Sequence, residues 1–489
     1  MTTTYLVAVS DSQAQSFLSN GYDLVAGFAV DAADVADVTD VSALLDLLQL
    51  RFPGSPFRDD LPLDILHIPA DAFTHARHAV GPLHPQAFRG GVIDYAPYDG
   101  SGVAEGGGVR TGLLLLDPSR LTAGTRLWRF FPGQAEPELR GVYHGIAFGW
   151  ENVETGEFVA CVPSPFAGAV VQREWGDVPC DVEIDGDTPV AVTLIAPFNP
   201  EAESGFEDLG NGLWAKRIAY DDSMRIYTQL VVAQLSGIPV RIIRAVSSEE
   251  HDVMFQIVSL LTDAPYCAEV NFQRWAGGTY TALSLPEHLE NQHKQEATPV
   301  SWSIEGRPAA TAVRSEPFHS HDQNTIVQEA FNLLGQTCPP AWTEVAMQAQ
   351  IIGDSVIYEA NAKLEGDQGA RLKVVPTAIL HYMRQLKKLR IASSEGPFFT
   401  IVIQAVKDGQ GSVSLNAEAQ PPYADQVSDE QWEKELEIFR ASGHPIPEWL
   451  SAKALSLPRS GSAFGPGASQ KEHMPIDLTA DISPAPDEA

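Results

Sequence analysis

The chain has 489 residues, of which 44% are hydrophobic, so it can bury more than one core and about two to four domains are expected. Its 64 acidic and 32 basic side chains give a net charge of −32, which disfavours contact with phosphate backbones and hence nucleic-acid binding. No apolar run approaches the ~20 residues that a membrane-spanning helix needs, so no membrane partner is expected.

The amino terminus and the cysteines favour a cytoplasmic protein. Residues 1–9 have neither the basic segment nor the long apolar core of a secretory signal. The cysteines Cys161, Cys180, Cys267 and Cys338 are too far apart along the chain for a metal-binding motif. We therefore expect reduced thiols inside the core, as is usual in that compartment.

Residues 1–60 are predicted to form a small α/β unit. A short strand over 5–9 is followed by Ser10-Asp11-Ser12, which can cap a helix over 13–18. The leucine-rich segment 41–50 predicts a second helix, and the prolines and the glycine that follow it would end that helix.

Residues 61–205 are predicted to form a mainly β domain of unknown role. The apolar run 113–116 fits a buried strand because a glycine and a proline bracket it. The glycine-rich segment 100–108 lacks the Lys-Ser/Thr pair of a phosphate-binding loop and fits a flexible hairpin connection. Further strands are predicted at 126–131, 142–148 and 190–195.

Residues 206–305 are predicted to form an α/β or β module. The segment 224–235 fits a helix, since Ile226, Leu230 and Ala233 would share one face. A strand is predicted at 240–246, and the apolar run 253–261 fits either a strand or a short helix. Residues 306–323 fit an interdomain linker, and the Pro-, Gly- and Ser-rich residues 457–489 a disordered tail.

Residues 324–456 are predicted to form an antiparallel sheet of about four strands packed with three helices, which makes the chain a multidomain α+β protein. Asn324 or Thr325 can cap the first helix. The remaining predicted elements are strands at 343–350, 356–362, 398–406 and 412–419, a helix from Pro376, and a last helix whose capping box joins Ser428 and Gln431.

The helix from Pro376 has a clear division of residue types. Its leucine, isoleucine and methionine side chains fall on one face, and four basic residues are predicted to face outward. These basic residues are Arg384, Lys387, Lys388 and Arg390. Such a stripe is usually a solvated helix face, and it is also a candidate contact surface for a partner.

Residues 324–456 resemble the YezG-like (DUF600) immunity proteins of bacterial toxin systems. The shared features are the order of elements, the Pro-Ala-Trp at 340–342 entering the first strand, the basic middle helix and the closing Ile-Pro-Glu-Trp-Leu at 446–450. The resemblance covers about a quarter of the chain. It implies that this domain binds and neutralises a cognate protein toxin, with no turnover and no cofactor.

The strong negative charge fits this implication, since it would speed the encounter with a basic toxin, although it also serves solubility. The first contacts to test are acidic residues in and before the last helix, together with the basic stripe. The acidic candidates are Asp425, Asp429, Glu430, Glu433, Glu435 and Glu437, and the basic ones Arg384, Lys387 and Lys388. The oligomeric state stays open.

Two histidine clusters are candidate metal sites. His67, His75, His78 and His84 lie within eighteen residues, and a helix would place His75 and His78 on one face. His319 and His321 could chelate from an extended chain. Nearby prolines and glycines argue against the first and a linker position against the second, so we expect no metal.

An enzyme or ligand-binding module within residues 61–310, a toxin-like transferase regulated by the C-terminal domain, is the alternative interpretation. Arg126, Trp128 and Arg129, with Tyr143 and His144, could line a cleft rich in arginine and aromatic side chains. Alternating polar and aromatic positions on a half-buried strand explain the same pattern. A third possibility is a scaffold that has no toxin partner.

Overall fold

The computed structural model describes residues 3–82, 91–160, 162–185, 188–201, 203–247, 251, 253–297, 322–339, 341–366, 369–393, 395–407 and 411–456. These residues form a mixed structure in which strands predominate and every strand pair is antiparallel. Three large sheets follow one another along the chain. The predicted linker, except for Asp322 and Gln323, and the predicted tail lie outside the described residues.

The first sheet has nine strands in the order β11-β10-β9-β8-β3-β1-β2-β7-β4, and it contains the predicted unit 1–60 and the first part of the predicted domain 61–205. Its strands are β1 (Thr4–Val9), β2 (Leu24–Asp31), β3 (Leu63–Pro69), β4 (Ala76–His78), β7 (Leu114–Arg120), β8 (Arg126–Phe130), β9 (Glu138–Tyr143), β10 (Trp150–Asn152) and β11 (Phe158–Val159). A separate hairpin, β5 (Val103–Gly106) with β6 (Val109–Gly112), lies within and beyond the glycine-rich segment.

Helices α1 (Asp11–Asn20) and α2 (Val41–Leu47) pack on this sheet, each in its own apolar cluster. The predicted start of the first helix is confirmed: Ser10 and Gln13 form a reciprocal capping box. The strand predicted at 142–148 is misplaced. The chain leaves β9 at Tyr143 and turns at Gly145 and Gly149, both of which have positive φ.

The second sheet has eleven strands in the order β15-β16-β14-β13-β12-β17-β18-β19-β21-β20, with β22 paired to β17. Its strands are β12 (Ala169–Arg173), β13 (Gly176–Asp185), β14 (Thr188–Ala196), β15 (Glu207–Asp208), β16 (Trp214–Ala219), β17 (Ile226–Leu235), β18 (Ile238–Val246), β19 (Met254–Ser259), β20 (Gln273–Ala276), β21 (Thr279–Ser284) and β22 (Leu289–Ala297). Helix α3 (Ala264–Glu269) lies between β19 and β20, and a 3-10 turn (Pro286–His288) lies between β21 and β22.

The helix predicted over 224–235 is wrong, because the segment is strand β17. The apolar spacing is compatible with a helix, but Ile226, Thr228, Val231 and Val232 are β-branched and favour extended backbone. The strand pairs with the distant strands β12 and β22 and, through a tight turn, with β18, so nearly its whole length is hydrogen-bonded to neighbouring strands. Tertiary pairing therefore overrides the local pattern.

The third sheet has five strands, in the order β25-β24-β23-β26-β27, and four helices pack near it. The elements are α4 (Gln323–Gln336), β23 (Trp342–Ile352), β24 (Ser355–Leu364), β25 (Gly369–Arg371), α5 (Thr377–Ala392), β26 (Thr400–Val406), β27 (Ser412–Asn416), a 3-10 turn (Ala424–Gln426), α6 (Asp429–Ser442) and α7 (Glu448–Ser456). The prediction had about four strands and three helices. The additional elements are the short strand β25 and the helix α7.

Two predicted helix caps differ from the structure. Helix α4 is capped by Asp322, whose carboxylate accepts from the Thr325 backbone N–H, and not by Asn324 or Thr325. Ser428 stands at the start of α6 without a side-chain cap bond. The predicted partner Gln431 instead accepts a hydrogen bond from Asp354 N–H in the β23–β24 turn, 2.6 Å away.

The first and second sheets are joined by close backbone approach and by two buried arginines. Gly27 lies against Ala276, where a Cβ atom would clash at 2.4 Å. Arg120 donates to the carbonyl oxygens of Ala169 and Cys180, at 3.0 and 2.7 Å. Arg241, on the second sheet, donates to Pro118 O on the first sheet at 3.0 Å.

A single buried carboxylate joins the second sheet to the third. Asp263 is 2% exposed; its Oδ1 accepts from Tyr266 N–H at the start of α3, and its Oδ2 accepts from Ala378 N–H at the start of α5. The backbone of Ile93, from the first sheet's connecting loop, bonds to Thr262 and Ala264 on either side. Apolar residues of the second and third sheets then share one continuous core.

We expect Asp263→Ala to lower the free energy of unfolding by about 2–4 kcal/mol, because two helix starts lose their acceptor at once. The matched control is Asp322→Ala, which removes one exposed cap and should cost about 1 kcal/mol. The midpoint of urea denaturation, followed by circular dichroism, measures both. Equal shifts for the two variants would contradict a joint role for Asp263.

Asp23, at the junction of the first two sheets, provides a pH test. It is 1% exposed, and neither carboxylate oxygen has a hydrogen-bond partner among the described residues. Burial raises its pKa from 3.8 to about 6, against the opposing charges of Arg120 and Arg244. Because the pKa of Asp23 is higher in the folded state, its protonation favours the folded state. This contribution to stability is complete below pH 3.8 and is lost as the pH rises through about 6.

We therefore expect Asp23→Asn to match the parent protein near pH 4 and to exceed its stability by about 3 kcal/mol at pH 8. The measurement is the difference in denaturation midpoint across that pH range. The exposed Asp222→Asn variant should show no such pH-dependent difference. If the difference in stability between the two proteins stayed constant with pH, ionisation of Asp23 would not destabilise the folded state, and the prediction would be wrong.

Candidate functional site

The acidic residues proposed as contacts lie on one segment of the third sheet's covering layer. Asp425 is in the 3-10 turn before α6, and the others are on α6 itself. Asp429 pairs with Lys453 at 3.4 Å and Glu430 with Lys434 at 3.2 Å, both at the surface. Asp425, Glu433 and Glu437 form no ion pair with the residues that the structure describes.

Glu435 and Lys387 are not at the surface. They are 0% and 3% exposed, and their side chains form a buried ion pair with Nζ and Oε1 2.6 Å apart. Lys387 also donates to Ile351 O at 2.8 Å, and Glu435 Oε2 accepts from Gly353 N–H at 2.8 Å. The prediction that Lys387 faces outward is therefore wrong, and burial lowers the pKa of its amine. The pair joins α5, α6 and the β23–β24 turn.

The remaining basic residues of α5 do not form a continuous exposed stripe. Lys388 is exposed, whereas Arg384 and Arg390 are half-buried. Arg384 donates to Asp354 O at 2.5 Å, and Arg390 pairs with Glu395 at 2.6 Å. Buried residues occupy more than half of the circumference of α5, so few of its basic side chains can face solvent.

The closing Ile-Pro-Glu-Trp-Leu segment packs through its tryptophan. The Trp449 ring meets Phe399 edge-on at 4.8 Å and Trp432 at 5.7 Å, and Phe399 stacks on Phe439 at 4.9 Å. Its indole N–H donates to Glu418 O at 2.7 Å. These contacts fix α7 against the sheet and leave one side of Trp449 half-exposed.

A groove of about 600 Å³ opens beside this tryptophan. Its walls come from the segment before β26, the segment after β27, the end of α6 and the start of α7. The lining residues are Glu395, Gly396, Pro397, Ala417, Glu418, Phe439, His444, Pro445, Ile446, Pro447, Glu448 and Trp449. Gly396, with a φ of +88°, allows the His444 ring to approach the backbone, since a Cβ there would lie 3.0 Å from the ring.

The groove is negatively charged around an aromatic wall. Glu395 is held by Arg390, but the exposed carboxylates of Glu418 and Glu448 form no ion pair with described residues. The carbonyl end of helix α6 and the amide end of helix α7 both border the groove and carry opposite partial charges, so the negative character of the groove comes from its carboxylates. Aromatic faces beside carboxylates favour a lysine or arginine side chain, which gains both ion pairing and cation–π contact.

The histidine clusters do not assemble a metal site within the described residues, where no three His, Cys, Asp or Glu side chains are placed to hold an ion. His75 and His78 lie in and beside β4, an extended segment and not a helix. His84, His319 and His321 lie outside the described residues. The cysteines Cys180, Cys267 and Cys338 are buried free thiols, as predicted, and Cys161 is outside the described part.

The arginine and aromatic residues of the alternative interpretation are divided between two places. Arg126 and Trp128 line one pocket on the first sheet. His144 instead pairs with Glu151 at 2.7 Å, and Arg129 forms a bidentate bond to Asp64 on the opposite sheet face. Tyr143 is buried. The predicted joint cleft is therefore not formed.

No model of a known protein family matches the chain, and no curated protein does. The groove therefore has to be interpreted from its own chemistry. Sequence reasoning missed Glu395, Glu418 and His444, because they come from connections between elements. Glu448 and Trp449 belong to the closing segment 446–450, but the sequence alone does not indicate that they line a groove.

The structural role of the buried Lys387–Glu435 ion pair can be tested directly. Lys387→Ala should lower the free energy of unfolding by about 3–5 kcal/mol, since Glu435 is left as a buried unpaired charge. The double change Lys387→Met with Glu435→Gln should recover most of that loss, because Gln can still accept from Gly353 N–H. The neighbouring exposed Lys388→Ala should change it by less than about 0.5 kcal/mol. Chemical denaturation measures all three; a mild Lys387→Ala effect would refute the structural role.

Proposed function

We propose that this chain is a cytoplasmic immunity-type protein that binds a cognate protein toxin and neutralises it by covering its active site. The observation that carries the proposal is the groove beside Trp449, with two unpaired carboxylates and an aromatic wall. Its chemistry fits a basic side chain presented by another protein. The function would be binding, without turnover and without a cofactor.

Three further features support the proposal. The groove is formed in part by residues 446–449, within the closing segment that is one of the features shared with the YezG-like proteins. The exposed acids of α6 and the preceding turn extend the negative surface of the same domain. The net charge of −32 would accelerate the approach of a basic toxin and make the association rate salt-dependent.

The groove also explains how one small region could carry most of the affinity. Energetically important residues at interfaces are concentrated in aromatic and charged anchors held rigidly by their surroundings. Trp449 is fixed by two rings and by its bond to Glu418 O. A toxin cation that enters the groove would meet a preorganised site, so that little ordering would accompany binding.

The test is binding of the full chain to the toxin domain encoded by the neighbouring gene, measured by calorimetry at low and at moderate salt. We expect a stoichiometric complex that weakens as salt rises. The double variant Glu418→Gln with Glu448→Gln should bind at least about tenfold more weakly, a change of about 1.4 kcal/mol. The physical reason is the loss of both unpaired groove carboxylates.

The matched control is Glu154→Gln with Glu157→Gln, which makes the same charge change at exposed positions of the β10–β11 turn. It should leave the affinity within about twofold, because surface charges away from the interface mainly alter the association rate. Absence of a complex at low salt would refute the proposed function. Equal weakening by both double variants would refute the groove as the contact site.

A further inference from the structure

A second pocket, of about 410 Å³, lies on the first sheet and far along the chain from the groove. Its lining includes Thr4, His67, Pro69, Arg126 and Trp128. The volume is within the range of small-molecule sites. None of the described residues that line it is acidic, although the chain has twice as many acidic as basic side chains.

Three neighbouring strands build the pocket. In the register of β1, β3 and β8, Thr4 is opposite Pro69, His67 is opposite Arg126, and Ile65 is opposite Trp128. Directly paired residues of antiparallel strands point to the same face. The polar groups therefore project from one face of the middle of a nine-stranded sheet, where the backbone is hydrogen-bonded on both sides.

Arg126 is the charged group of this pocket. Its side chain is exposed and makes no hydrogen bond or ion pair with a described residue. This sets it apart from Arg51, Arg129 and Arg173, each of which contacts a carboxylate in this acidic protein. A guanidinium without a partner beside a cavity is a ready partner for an anion.

Two of the residues that line the pocket carry buried polar atoms without partners. Trp128 Nε1 and His67 Nε2 are buried atoms that have no hydrogen-bond partner among the described residues, and their rings lie 6.0 Å apart. An unpaired buried polar group costs about 1–3 kcal/mol, so two in one lining require an explanation. Burial, aided by the charge of Arg126, lowers the pKa of His67 to about 4, and its ring is neutral at pH 7.

We propose that this pocket binds a small organic anion, a carboxylate or phosphate monoester that carries a flat apolar group. Arg126, exposed and without a partner among the described residues, supplies the charge. Proline and indole surfaces provide the apolar wall on which a flat group can pack. A cationic ligand would be repelled by Arg126, and a neutral one would leave the guanidinium unused.

The test titrates the full chain with benzoate, phenyl phosphate, inorganic phosphate and neutral benzyl alcohol, followed by calorimetry and ligand-detected NMR. We expect saturable binding of benzoate or phenyl phosphate, at least tenfold weaker binding of inorganic phosphate, and none of benzyl alcohol. Benzyl alcohol binding as tightly as benzoate, or no saturable binding of either aromatic anion, would overturn the proposal. Inorganic phosphate binding as tightly as phenyl phosphate would overturn the apolar subsite.

Two variants assign the binding to this pocket. Arg126→Gln should weaken aromatic-anion binding at least tenfold, and Trp128→Phe should weaken it while retaining the ring that packs beside α2. The control Arg110→Gln removes an exposed arginine from hairpin β5–β6 and should leave binding unchanged. Denaturation midpoints verify that each variant is folded. Unchanged binding in a folded Arg126→Gln variant would overturn the assignment.

Discussion

The position of the third sheet depends on one buried carboxylate. Asp263 ends the connection after β19 and accepts backbone hydrogen bonds from the first turns of both α3 and α5. A buried carboxylate needs hydrogen-bond donors, and the N–H groups at a buried helix start need acceptors. The carboxylate and the two helix starts therefore satisfy each other's hydrogen bonds. The loop around Ile93 is bonded to the same backbone, so all three sheets meet within a few residues. Apolar residues from the second and third sheets then close a single core around this point.

A second buried interaction positions the candidate site within that frame. The Lys387–Glu435 pair joins α5 to α6 and holds the β23–β24 turn through Gly353 and Ile351. With α6 fixed, its last turn and the segment that follows it are placed beside Trp449, and the groove forms between them.

The acidic groove and the Arg126 pocket have opposite electrostatic character, and different parts of the fold support them. One belongs to the connections around the third sheet, and the other to the middle strands of the first.

Local signals predicted much of the fold. Several elements lie near their predicted places. They are the helix capped by Ser10 with Gln13, the leucine-rich helix within 41–50 and the alternating strands β23 and β24. Errors arose where long-range contacts decided the outcome. Segment 224–235 became a strand because three neighbours pair with it, and Gln431 bonds to Asp354 instead of completing a capping box. Lys387 was predicted to be solvated because nothing in its own helix reveals that Glu435 lies opposite it.

The sequence by itself determined the charge balance, most helix positions and some strand positions, the buried cysteines and the aromatic closing segment, since these depend on composition or on residues a few positions apart. Only the tertiary structure decided which ionisable groups are buried in pairs, which arginine lies beside a pocket without a partner among the described residues, and which carboxylates flank a groove. Those properties arise between residues such as Glu418 and Trp449, or His67 and Arg126, which are distant in the chain. Burial and pairing are set by the summed packing of all elements, so no local pattern encodes them.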